Sequence, residues 1–363
     1  MTVGQERHLF AGGNTAYGFY SFYEYIAPPD AARTMIVKGG PGVGKSTLMK
    51  WMGHEMQTRG YAVEYFHCSS DKDSLDAIRI PQLEVSLIDG TAPHAMDPMH
   101  PGAVDEIVYL GDYWDETGIR THKSSILAAR AEASRAFRHA YRLLAAAKNV
   151  KEIIVAANQE GFHHGRANET AASVIASVFG HRPVSADVGR VRHLFASAIT
   201  PSGFHSHIDS LVAPLARKIV ITGSPGTRKS TVMAKVVTAA EERGYSVEAF
   251  HCGFDPKRIE HALIPALDCA VITSATTHMY TAEEAKVINM DLCRQATAVA
   301  ANAELIEECD RLFAGLLEQA VVLLAKAKHF HDELESYYAP HMDFAGIGEL
   351  RNKLLARVLA CPN

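Results

Sequence analysis

The chain has 363 residues, 47% hydrophobic and 21% charged, with a formal net charge of -5 at pH 7. Its mean hydropathy of -0.05 and pI near 6.4 match ordinary globular proteins and exclude disordered, collagen-like and low-complexity chains. The length favours two domains, and the lack of basic excess disfavours a dedicated nucleic-acid binder.

Met1 to Phe10 carries charge and lacks the apolar stretch of a secretory signal. No later apolar run approaches the roughly 20 residues of a membrane span, so no membrane partner is expected. The six cysteines form no C-x-x-C pair, which fits reduced thiols in a cytoplasmic protein.

Met35 to Lys38 is a short β-rich run that leads directly into the most specific signal in the chain. Gly39, Gly40, Pro41, Gly42, Val43, Gly44, Lys45, Ser46 and Thr47 fit G-x-x-x-x-G-K-[ST] at every position. The helical pattern of Lys45 to Thr58 comes next, so strand, loop and helix stand in the order the motif requires. Glycines let backbone N–H groups close around phosphates, the helix N-terminus adds partial positive charge, Lys45 reaches the β- and γ-phosphates, and Ser46 can ligate Mg²⁺. The expected cofactors are ATP and Mg²⁺.

Val63 to His67 is a second strand, followed by Ser69, Ser70 and Asp71. Asp71 reads in three ways: a base accepting a substrate hydroxyl proton in a kinase, a water-orienting group in an ATPase, or an N-cap for a helix from Ser74 onward. His67 and Cys68 read better as strand-end packing than as a catalytic pair. Leu83 to Ile88 is a third strand ending in Asp89, where a magnesium-supporting carboxylate would stand; the alternative is a turn aspartate before Gly90. No glutamate follows Asp89, which shifts weight toward kinase-like or slow-hydrolysis chemistry. His94 reads equally as a γ-phosphate or substrate sensor and as a structural hydrogen-bonding group. A fourth strand is expected at Glu106 to Leu110, and the alanine-rich stretch from Thr121 to Phe179 is helical. The strand and helix order predicts parallel sheets flanked by helices.

Everything then repeats. Arg59 to Cys68 returns as Arg243 to Cys252, and Lys45 returns as Lys229, both 184 residues on (252 − 68 and 229 − 45). Arg7-His-Leu-Phe returns as Arg192-His-Leu-Phe, His94 as His278, Asp71 as Asp255, and the helical stretch from Ala301 to Leu359 mirrors the first. A period this long gives whole domains rather than a solenoid. The boundary falls at about 190, giving domains 1–190 and 191–363, each a sheet followed by its own helical part. The second loop reads Gly223-Ser-Pro-Gly-Thr-Arg228-Lys229-Ser230-Thr231, so arginine replaces the glycine before the lysine, and Thr273 stands where Asp89 stands in the first copy. Arg228 must distort the loop or push its guanidinium toward the phosphates. Lys229 and Ser230 keep an anion contact open, but the working site is expected in the first copy. In the segment His329 to Glu335, His331 and Glu335 share a helix face that reads better as solvated than as metal-binding.

Through Gly39 to Thr47, Asp89 to His94 and the repeated Arg-His-Leu-Phe segments, the chain resembles a bacterial family of duplicated, tandem P-loop ATPase-like proteins. The resemblance covers nearly the whole chain and implies an α/β P-loop NTPase fold and ATP binding. Three functions are consistent with these residues: a Mg-ATP-binding ATPase acting through Lys45, Ser46 and Asp89 and coupled to another small molecule or protein, a small-molecule or nucleotide kinase using Asp71, and a non-catalytic nucleotide sensor.

Overall fold

The computed structural model describes residues 3–91, 96–274, 280 and 285–361; His94 and His278 lie outside them. The first copy runs through β1 (Glu6–Leu9), the hairpin β2 (Gly12–Thr15) and β3 (Gly18–Ser21), β4 (Arg33–Lys38), α1 (Lys45–Thr58), β5 (Val63–His67), β6 (Leu75–Ile80), β7 (Val85–Asp89), β8 (Asp105–Tyr109), α2 (Glu116–Thr121), α3 (Lys123–Gln159) and α4 (His164–Phe179). The second repeats the pattern with β9 (Val191–Phe195), β10 (Ser197–Thr200), β11 (Gly203–Ser206), α5 (Ile208–Val212), β12 (Arg217–Thr222), α6 (Lys229–Glu242), β13 (Val247–His251), β14 (Ile259–Ile264), β15 (Cys269–Thr273), β16 (Lys286–Asn289), α7 (Ala296–Ala301), α8 (Ala303–Tyr338) and α9 (Phe344–Leu359).

Each copy builds a six-stranded sheet, in the order β1-β5-β6-β7-β4-β8 and its counterpart β9-β13-β14-β15-β12-β16. The expected parallel sheet is corrected to a mixed one, because β6 and β14 run antiparallel to both neighbours. The segment from Ser74, a helix in one reading of Asp71, is β6. Leu75, Asp76, Ala77, Ile78 and Ile80 are all buried, so both faces of the segment are covered, as in an inner strand. A short turn at 81–84, with Glu84 left-handed at φ 49°, returns the chain into β7. That turn moves the third strand from the expected 83–88 to Val85–Asp89.

The last helix of each copy lies on the sheet of the other. α4 packs its Ala167, Ala171, Val174 and Val178 face against α6 and the second sheet, in one core with Met233, Val236 and Val271. Conversely, Leu354 and Val358 of α9 join Met49, Met52 and Leu87 of the first copy. Main-chain bonds pin each crossing: Asp115 N–H donates to His341 O at 2.8 Å and Asp343 N–H to Tyr113 O at 2.7 Å, while His163 N–H donates to Cys293 O at 2.8 Å. α3 and α8 lie against each other, closing on Ala140, Leu144, Ala147, Ala320 and Leu324, all fully buried.

The copies also meet directly. Phe10 and Phe195 exchange main-chain bonds at 2.9 and 3.0 Å. Beside them Arg7 binds Glu64 at 2.9 Å and Glu248 at 2.6 Å, while Arg192 binds Glu64 at 2.8 Å and Glu248 at 3.3 Å. This partly buried quartet, with Glu64 at its most buried point, draws one arginine and one glutamate from each copy. A core shared by both copies lies alongside, from Leu9, Phe66 and Ile88 to Leu194, Phe250 and Ile272. On the first side His8 Nδ1 is 2.8 Å from His67 Nε2, and the His207 ring lies 4.6 Å from that of His67. On the second side Phe22 takes the corresponding place against His251, at 4.6 Å.

Among the described residues no helix is long and apolar enough to cross a membrane, and all six cysteines are free.

Candidate functional site

The glycine-rich loop leaves the end of β4 and turns into α1 with Gly44 as N-cap at φ 90°, ψ 13°. This left-handed conformation costs a glycine little. Lys45, the first helical residue, donates its ammonium to Gly39 O at 3.0 Å and Gly40 O at 2.7 Å. It also stands 3.6 Å from Asp89 Oδ2 at the end of β7. The structure thus brings together Lys45 and Asp89, which are adjacent only in the sheet, where β4 and β7 are parallel neighbours. Asp89 accepts the Thr91 N–H at 2.8 Å, and the Thr91 hydroxyl donates to Gly39 O at 3.0 Å. Burial raises the Asp89 carboxyl above its usual range, against the opposing pull of Lys45 and Thr91.

Ser46 Oγ accepts the Leu75 N–H at 3.0 Å, tying the loop to the turn before β6. Asp71 sits in that turn. Its carboxylate accepts from Asp73 N–H and from the Ser74 hydroxyl, both at 3.2 Å, and Oδ2 lies 3.8 Å from Lys328 Nζ. Asp71 therefore caps a turn and not a helix. Ser46 Oγ and the Asp89 carboxylate are hard oxygen donors at the loop, and a buried carboxylate of raised pKa gains from a nearby cation. The residues therefore fit Mg²⁺.

What covers this loop comes from the other copy. A Cβ on Gly42 would lie 2.9 Å from Glu335 O, and one on Gly40 would lie 2.9 Å from the Tyr338 ring, both in α8. Only glycine at these positions permits so close an approach. Sequence reasoning missed Glu335 as a loop contact, and Tyr338 and Lys328 altogether. The available signal was the mirrored helical stretch, which gives no indication of which sheet it covers. His331 Nε2 is 3.6 Å from Glu335 Oε1 on a half-exposed face, and no group of three or more metal-ligating side chains occurs among the described residues.

The second loop keeps the left-handed positions of the first at Gly226 and Arg228, and adds Gly223 at φ 141°. Arg228 occupies the N-cap of α6 at φ 64°, ψ 21°, so it adopts glycine's left-handed conformation without distorting the loop, at a cost of about 1–2 kcal/mol. Lys229 donates to Gly223 O and to Ser224 O, the latter at 3.0 Å. No carboxylate ends β15, because Thr273 stands there. Burial lowers the Lys229 ammonium to about 8, only partly offset by Asp291. Asp291 accepts the Ser224 N–H at 3.1 Å, and Arg294 donates to Ser224 Oγ and to Asp291, both at 3.0 Å. α3 closes over this loop as α8 does over the first: a Cβ on Gly226 would lie 2.7 Å from Val155 O. Beside the second loop a cavity of about 440 Å³ opens between α6, α3 and α8.

A family model described as Nephrocystin 3, N-terminal, matches residues 20–83, the segment that holds the first loop and α1. No curated protein and no solved structure matches the chain.

Proposed function

We propose that the chain is a Mg-ATP-binding P-loop ATPase whose first copy holds the nucleotide and whose second copy couples it to another ligand. The observation that carries this reading is the convergence of Lys45, Ser46 and Asp89 at the N-terminus of α1, on a loop that is glycine wherever α8 approaches it most closely. Lys45 would exchange the Gly39 and Gly40 carbonyls for β- and γ-phosphate oxygens, and the amides of the first helical turn would receive the rest of the charge. Ser46 and Asp89 would hold Mg²⁺, which supplies neutralisation of the phosphate oxygens when bound.

Coupling has a structural basis in α8, which places Glu335 and Tyr338 on the first loop and Asp310 and Phe313 on the cavity beside the second. In this reading, a displacement of α8 at one loop would be carried to the other.

Phosphate release measured with and without candidate acceptors tests the reading. Release without an acceptor supports the ATPase, acceptor-dependent ADP formation replaces it with a kinase, and binding without either outcome leaves a sensor. Equal Mg-ATP binding and turnover by the parent and Lys45→Ala would remove the site assignment.

A further inference from the structure

We infer that the cavity beside the second loop is a metal-independent site for a phosphorylated small molecule that carries an aromatic or apolar group. The inference deepens the proposed coupling role, and rests on that reading only in giving the second copy a ligand other than Mg-ATP.

Three observations converge. The first is charge: Lys148, Lys151, Arg228, Lys229 and Arg258 line the chamber together with the carboxylates of Glu152, Asp255, Glu260 and Asp310. Lys148 and Arg258 are engaged with Glu152 and Asp255. Lys151 instead rests over the rings of Phe254 and Phe313, at 5.1 and 5.3 Å from their centroids. Among the described residues neither Lys151 nor Arg228 is paired with a carboxylate within ion-pair distance. A cation held on aromatic faces and one held at a helix N-terminus leave two positive charges available to an anion.

The second is the missing carboxylate. Lys45 has Asp89 beside it, whereas the matching strand end next to Lys229 is Thr273. The second chamber has thus lost the metal-supporting group and gained Arg228 at the same loop. An anion beside the buried Lys229 would also raise its lowered pKa.

The third is shape. The cavity volume of about 440 Å³ falls in the range of small-molecule sites. It continues into a mostly apolar recess of about 120 Å³ walled by Ile199, Phe204, Phe313, Leu317 and Val321, with Glu260 and Glu318 at its edge, a volume on the order of the ~150 Å³ cavity that accepts benzene. Lys151, Cys252, Phe254, Glu260 and Phe313 border both spaces. A ligand spanning them has its anionic end at the loop and its ring or short apolar chain in the recess.

The test uses the full chain carrying Lys45→Ala, in EDTA, titrated calorimetrically with phenyl phosphate and with pyrophosphate. Both are expected to bind. Arg228→Gly and Lys151→Met should each weaken both by about tenfold, and Phe313→Ala should weaken phenyl phosphate by about fivefold while leaving pyrophosphate within about twofold. Phe313→Leu substitutes if the alanine variant does not fold. At about pH 8 binding should take up protons, read from the dependence of the heat on buffer ionisation. Absence of binding without magnesium, or equal affinities in parent and Lys151→Met, overturns the site. Because Lys45→Ala weakens the first loop throughout and Arg228, Lys151 and Phe313 lie at the second chamber, neither result depends on whether the first loop hydrolyses ATP.

Discussion

Glu64 should be the residue on which the union of the two copies depends most. Its carboxylate is buried, 3% exposed, and bound by Arg7 at 2.9 Å and Arg192 at 2.8 Å, with Arg79 at 3.6 Å. Burial alone would raise its pKa, but Arg192, then Arg7 and Arg79, outweigh it and hold the carboxyl at about 2. Bringing the folded value from 4.5 to about 2 corresponds to about 3 kcal/mol, at roughly 1.4 kcal/mol per tenfold change in ionisation. Removing one partner of a buried ion pair costs about 3–5 kcal/mol, so the two routes agree. The sign follows from the depression: this stability is complete above the unfolded value and is lost as pH falls from 4.5 toward about 2. Glu64→Gln should therefore lose about 3 kcal/mol at neutral pH in chemical denaturation and progressively less as the parent is acidified through this window. Glu55→Gln, which breaks a partly exposed pair with Arg59, is the control and should lose under about 1 kcal/mol. A Glu64→Gln loss no greater than that of the control, or one of equal size at neutral and acid pH, would refute the reasoning.

Lys45→Ala should lower Mg-ATP affinity or turnover at least about tenfold, measured by calorimetry and phosphate release. Asp89→Asn should weaken the magnesium dependence of nucleotide binding while the circular dichroism spectrum is retained. Leu324→Ala, in the fully buried centre of the α3 and α8 pair, should cost about 2–5 kcal/mol of stability by denaturant titration. His207 is held at about 3, chiefly by burial and then by His67 and His205. Its lowered pKa makes the fold lose stability as pH falls below 6.5. His207→Phe, which copies Phe22, should flatten that part of the acid profile; an unchanged profile would remove the histidine from the account.

Much of this architecture was legible in the sequence, and the parts that were not share a physical cause. The loop from Gly39 to Thr47 and its strand and helix followed from local chemistry, because a left-handed Gly44 and a helix-starting lysine need no distant partner to be recognised. The pairing of Lys45 with Asp89 was reachable because β7 ends in its carboxylate beside β4. β6 escaped because its residues are buried on both faces, which erases the alternation that marks a half-exposed strand. The crossing of the helices escaped for a different reason. Periodicity marks Ala167, Ala171 and Val174 as one apolar face, but two repeated sheets offer nearly the same surface to it. The choice between them is made by chain geometry at residues such as His163 and Asp343. Lys151 and Phe313 were likewise invisible as a site, being distant in sequence and joined only where α3 and α8 meet.

The exchanged helices make this polypeptide, in effect, a dimer written on one chain. A solitary copy has a sheet, a glycine-rich loop and the helix that follows it, but the helices that complete the cover come from the other copy, so it could complete itself only by trading helices with an identical twin. Two identical chains trading in that way must carry two identical loops, since every substitution appears twice. Joined in tandem, the copies are released from that symmetry, and glycine at 44 can face arginine at 228, aspartate at 89 can face threonine at 273, and Phe22 can face His207, while the mutual roofing that each still requires keeps both in register.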